Sequence, residues 1–81
     1  MSYHGAIILQ MYRCTADASE LMRDEPVICR NETDAWSRIE RMMARPRYRG
    51  AHILRTNANG TPVEILAHIG QVLPISNLPD L

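Results

Sequence analysis

The chain has 81 residues and zero formal net charge, with 46% hydrophobic and 22% charged residues. That length makes one domain with a modest core, and the composition is globular rather than disordered. Zero net charge removes the usual basic-protein argument for nucleic-acid binding, and the N-terminal apolar run "GAIIL" is too short for a membrane span.

"YHGAIILQMYRC" (3–14) reads as a strand with β-formers on both faces, Ile7, Leu9 and Met11 on one and Ala6, Ile8 and Tyr12 on the other. Such a strand belongs inside a sheet, not at its edge. "TADASELMRDE" (15–25) is polar. Asp17 and Glu20 have capping-box spacing, so it is expected to hold one helical turn or else a mobile loop. "PVICR" (26–30) is a short strand opened by Pro26. Asn31 then caps a helix whose first turn carries Glu32 and Asp34, where the helix dipole favours negative charge. Ala35, Ile39, Met42 and Met43 recur at i, i+4, i+7, i+8 as one buried stripe flanked by Trp36. Pro46 ends the helix, with Arg41 and Arg45 in its last turns.

"GAHILRTNANGTPVEILAHI" (50–69) is a hairpin in which Asn59-Gly60 signals a two-residue type I′ turn. That turn sets Arg55 opposite Glu64, an opposite-charge cross-strand pair. It also puts Leu54, Val63, Ile65 and Ala67 on one face, expected to pack on Ala35, Ile39 and Met42. The expected fold is therefore α+β and two-layered, with a four-stranded, mostly antiparallel sheet in ββαββ order and one main helix on one face. One helix covers one face only. Residues 70–81 form an apolar, proline-bearing C-terminal tail of this single domain (1–81). Either Val72, Leu73, Ile75, Leu78 and Leu81 fold back over the second face or a second copy packs there, and the tail is preferred.

Neither cysteine has the setting of a nucleophile, and without a secretion signal Cys14 and Cys29 read as reduced thiols in a cytoplasm. No pair among His4, His52, His68 and the cysteines has metal-ligand spacing, and His52 and His68 fall on opposite faces of the expected hairpin. The residues give no sign of catalysis, so the chain is read as non-enzymatic, with no cofactor or metal.

The charges are segregated. Residues 17–34 carry six acids against two arginines, a local −4, and residues 38–49 carry five arginines against Glu40, a local +4. All nine basic residues are arginine, through genomic coding bias or because guanidinium forks match carboxylates and phosphates. Arg38, Arg41 and Arg45 are spaced i, i+3, i+7 along one exposed helix side, and Arg47 and Arg49 flank Tyr48. The plainest reading is a solvated helix end. The functional readings are a protein-docking surface, with Arg and Tyr as hot-spot types, and a nucleic-acid grip in which Tyr48 stacks a base.

A lone strand, a strand running into a capped helix, the Tyr48-Arg49-Gly50 step and a hairpin with a glycine turn are carried by "VICRNETDAWSRIERMMARPRYRGAHILRTNANGTPVEILAH". This layout resembles small phage and mobile-element proteins, including several anti-CRISPR proteins that inhibit type I systems. The resemblance implies a protein of the bacterial host cytoplasm that binds and blocks a type I Cas nucleoprotein complex. The partner-binding residues would be Arg38, Arg41, Arg45, Arg47, Tyr48 and Arg49. The alternatives are a small nucleic-acid-binding regulator using the same arginines and an oligomerising structural domain, for instance a homodimer.

Overall fold

The computed structural model describes residues 5–17, 19–75 and 78. It is α+β, as expected. In chain order the elements are β1 (Ile7–Cys14), β2 (Leu21–Arg23), β3 (Val27–Cys29), α1 (Glu32–Met43), β4 (Tyr48–Thr56) and β5 (Pro62–Gly70). Every pairing is antiparallel. β1 is interior. One of its edges pairs with β4, and the other is shared by β3 opposite Ile7–Leu9 and β2 opposite Tyr12–Cys14. Five strands thus fill the four positions expected, because β2 and β3 are one strand interrupted by a bulge. Gln10 and Met11 of β1 face three residues, Asp24, Glu25 and Pro26, and the extra residue bends the edge outward. The Gln10 side-chain amide donates to the Asp24 carbonyl inside this bulge.

The helical turn expected within 15–25 is absent. Residues 15–20 are a loop closed by the Thr15 N–H donating to the Glu20 carbonyl at 2.9 Å, and a short strand follows. Asp17 shows why. Its carboxylate accepts from the Thr15 hydroxyl and from the Ser19 hydroxyl and N–H, local bonds that compete with a helical turn. The same donors, Thr15 first, hold the Asp17 pKa down at about 2.

The helix follows its sequence signals. The Asn31 side chain accepts from the Asp34 N–H at 2.8 Å, and the Asp34 carboxylate reaches back to the Arg30 N–H at 3.0 Å. That backbone bond, helped by the Arg38 guanidinium, keeps the Asp34 carboxyl below its ordinary range. Ala35 and Ile39 are buried against Leu9 and Met11 of β1, Cys29 of β3, and Tyr48, Ala51 and Ile53 of β4, with Met42 and Met43 packed at the margin. Trp36 sits at the rim, 42% exposed.

The hairpin pairs Arg55 with Glu64 and Leu54 with Ile65, as expected, but its turn differs. Asn57 donates its N–H to the Thr61 carbonyl, and Gly60, at φ +85°, donates to the Asn57 carbonyl. This is a three-residue loop with glycine in the left-handed position, not a two-residue type I′ turn. A second difference has larger effects. Ile53 pairs with Ala67 rather than Leu66, so Leu66 is a bulge. With a side-chain period of two, one extra residue exchanges the faces of everything beyond it. Ala67 and Ile69 therefore join Ala51 and Ile53 in the helix-side layer, whereas Leu54 and Ile65 lie on the other face. The expected packing of Leu54, Val63 and Ile65 on the helix is corrected: β4 turns Ile53, opposite Leu9, toward the helix and Leu54, opposite Ile8, away from it, and Val63, a further bulge between the Arg55–Glu64 and Thr56–Pro62 pairs, is 47% exposed.

The second face buries Gln10, Tyr12, His52, Leu54, Thr56 and Ile65. The tail meets it, as preferred. Tyr12 is fully buried, its hydroxyl 2.7 Å from His52 Nδ1 and 3.3 Å from the Leu73 carbonyl, and the Arg23 guanidinium donates to the Pro74 carbonyl at 2.7 Å. Leu81, named for the same role, lies outside the described residues. Two glycines steer the tail. Gly70 turns the chain at φ +66°, and a Cβ on Gly50 would collide with the Gln71 and Ile69 carbonyls as the chain crosses β4. The Gln71 N–H then bonds the Arg49 carbonyl at 2.9 Å.

Candidate functional site

The arginines of residues 38–49 are carried by two supports. Arg38, Arg41 and Arg45 project from α1 and the turn after it, and together with Met42 they line one shallow depression. Arg47 ends the turn before β4 and Arg49 is the strand's second residue, where the register of β1 against β4 shifts between Tyr12 and Arg13. Tyr12 pairs with Gly50 and Arg13 with Tyr48, leaving Arg49 as the bulged residue. The bulge separates two neighbours in sequence. Tyr48 turns into the helix-side core, 7% exposed, and Arg49 is pushed out to solvent.

Tyr48 is therefore not a surface for stacking a base. Its hydroxyl donates to the Asp24 carboxylate at 3.1 Å and its ring lies beneath the Arg47 guanidinium, 5.3 Å from the centroid. Tyr48, expected among the partner-binding residues, is thus set into the core with its ring in cation–π contact with Arg47.

Ion pairing divides the arginines. Arg38 faces Asp34 at 3.4 Å, one helical turn away, Arg13 faces Asp24 at 3.9 Å, and Arg55 pairs with Glu64. Among the described residues Arg41, Arg45, Arg47 and Arg49 have no carboxylate partner, and all four are exposed. The three aspartates of the acidic segment are engaged elsewhere, Asp17 by its own loop, Asp34 by the helix cap, and Asp24 by Arg13 and Tyr48.

Arg13 is the member that sequence reading did not single out. It lines an open depression of about 430 Å³ together with Cys14, Thr15, Ala16, Pro46, Arg47 and Arg49. The signal that would have found it is the pairing of "YRC" with "RYRG", which no local pattern reveals. The Cys14 N–H donates to the Arg47 carbonyl at 2.9 Å and ties the two segments together.

The histidines and cysteines fall differently from expectation in one respect. His52 and His68 stand directly opposite each other on the same face, ring centroids 5.5 Å apart, because the Leu66 bulge brings them into line. Among the described residues no three His, Cys, Asp or Glu side chains come together. Cys14 and Cys29 are free thiols at opposite ends of β1, Cys29 opposite Ile7, and burial pushes the Cys29 thiol pKa up. No helix among the described residues is long and apolar enough to cross a membrane. Comparison with protein-family models, with curated proteins and with solved structures finds no match to this chain.

Proposed function

We propose that this is a binding protein whose arginine edge docks on an acidic face of a protein or nucleoprotein complex and blocks it. The observation that carries the reading is the run of four exposed guanidiniums at Arg41, Arg45, Arg47 and Arg49 that meet no carboxylate among the described residues. Held by a helix end and a strand, they are pre-positioned, which lowers the ordering cost of association. Zero net charge over the whole chain favours an oriented encounter with one partner over general attraction to polyanions. The sequence resemblance suggests the partner class: a host defence complex of the type I Cas kind, with this protein as the inhibitor supplied by a phage or mobile element. An oligomerising structural domain has less support. β5 opens with Pro62 and carries the Leu66 bulge, and the opposite edge is broken at Asp24–Pro26, so neither edge offers an uninterrupted strand to a second copy.

The test is titration of a purified type I effector complex, and separately of short DNA and RNA duplexes, at about 0.15 M salt, where non-specific phosphate binding is weakened. Wild type should bind the complex. The triple variant Arg41→Glu, Arg45→Glu, Arg49→Glu should lose that binding while its thermal midpoint stays nearly unchanged, since exposed charges contribute little to folding. Micromolar binding to the duplexes alone would replace the docking reading with a nucleic-acid one. Unchanged binding of the triple variant to the complex would return the arginines to a solvated helix end.

A further inference from the structure

We infer that the depression lined by Arg13, Arg47 and Arg49 is a phosphate-binding site, built to hold a stretch of polynucleotide backbone presented by the partner. The inference rests on the docking reading for the source of the backbone and on its own geometry for the chemistry. Three guanidiniums border one open depression of about 430 Å³, and no acidic residue lines it. Asp17 accepts from Thr15 and Ser19 within its loop, and Asp24 takes the Tyr48 hydroxyl and faces the Arg13 Nε at 3.9 Å, so Arg13 is shared with a carboxylate while Arg47 and Arg49 have none among the described residues. The two sides of the depression are tied together, with β1 bonded to the Arg47 carbonyl through the Cys14 N–H and the Arg47 guanidinium resting on the Tyr48 ring.

A carboxylate is satisfied by one guanidinium fork, so three around one depression exceed what a single acidic side chain needs. A polynucleotide strand repeats its negative charge about every 3.4 Å along the axis and supplies several oxyanions to neighbouring guanidiniums at once. The Pro46 ring, the Ala16 methyl and the Cys14 side chain provide an apolar lining for the sugars between them. With only three cations, the site should be weak for free nucleic acid and effective when the partner fixes the strand in place.

The test uses the full-length, ¹⁵N-labelled chain at about 20 mM salt, where phosphate contacts are least screened. It is titrated with a short mixed-sequence single-stranded DNA and, in parallel, with an oligoglutamate peptide. The DNA should give saturable amide shifts centred on Arg13–Ala16 and on Arg47 and Arg49. Arg13→Gln and Arg49→Gln should each weaken DNA binding about tenfold, the size of one charge-assisted hydrogen bond, and each should reduce the salt slope by about one. Arg30→Gln, an exposed arginine outside this depression, should change affinity less than twofold. Equal loss in Arg30→Gln would mean a diffuse basic surface and overturn the site, as would oligoglutamate binding there as tightly as DNA. The docking reading is judged apart from this, by capture of the effector complex with the triple charge reversal.

Discussion

Truncation of Ile39 to alanine tests the helix–sheet layer that holds the arginine edge in place. Ile39 is 5% exposed and belongs to the cluster with Leu9, Met11, Ala35, Ala51 and Ile53. The substitution removes Cγ1, Cγ2 and Cδ1, which at about 0.8 kcal/mol per buried carbon is roughly 2.4 kcal/mol of transfer free energy. A residual cavity of about 50 Å³ adds roughly 1.2 kcal/mol at about 24 cal/mol per Å³, giving a loss of about 2.5–4 kcal/mol. A domain of 81 residues is expected to have about 4–12 kcal/mol in all, so a large part of its stability should go. At about 4–8 °C per kcal/mol, the midpoint should fall by roughly 10–30 °C. Urea titration followed by far-UV circular dichroism and by fluorescence of Trp36, the only tryptophan, measures it directly. A loss under about 0.5 kcal/mol, the size of a surface change, would refute the orientation of the helix. A double-mutant cycle locates the layer more sharply. Ile39→Val with Ile53→Val, both in the helix-side cluster, should be non-additive. Ile39→Val with Leu54→Ala, across the sheet, should add to within about 0.3–0.5 kcal/mol. The reverse result would mean that Leu54, not Ile53, faces the helix.

Three other outcomes are expected. Gly50→Ala should unfold the chain or sharply lower its midpoint in a thermal melt, because the added Cβ meets the backbone of Ile69 and Gln71 rather than a flexible side chain. Under native conditions iodoacetamide should add once, at half-buried Cys14, and reach Cys29 only after denaturation, since burial both covers that thiol and disfavours its thiolate; intact mass spectrometry reads the count. The carboxyls of Asp17 and Asp34 titrate lower in the folded chain than in the unfolded one, so their contribution is complete above about pH 4 and is lost as pH falls toward about 2. Urea midpoints measured across that interval should drop less steeply for Asp17→Asn than for wild type.

The helix was legible because its signals are local: Asn31 as cap, the first-turn acids, the stripe of Ala35 and Ile39, and the stop before Pro46. Interior β1 was legible too, since β-formers on both faces mark a strand whose two faces are both covered. The four bulges, at Asp24–Pro26, Arg49, Val63 and Leu66, were not. Ile53-Leu54 and Ile65-Leu66-Ala67 are runs of apolar residues, so alternation has no phase to read, and a one-residue insertion leaves composition unchanged while exchanging faces. The arginine spacing on α1 was visible for the same reason as the helix, whereas the burial of Tyr48 and the recruitment of Arg13 depend on the bulge at Arg49. β2 is three residues of "LMR" that become a strand only because β1 lies beside them.

The interrupted edges of the sheet have a consequence for the life of the protein at high concentration. A small antiparallel sheet is a template on which further chains can polymerise, and a producing cell accumulates many copies at once. Here Pro62 withholds a donor from one rim, Leu66 kinks the same rim, and Asp24–Pro26 breaks the other. With lateral growth discouraged at both sides, neither rim of the sheet is a good template on which further copies of the chain could line up.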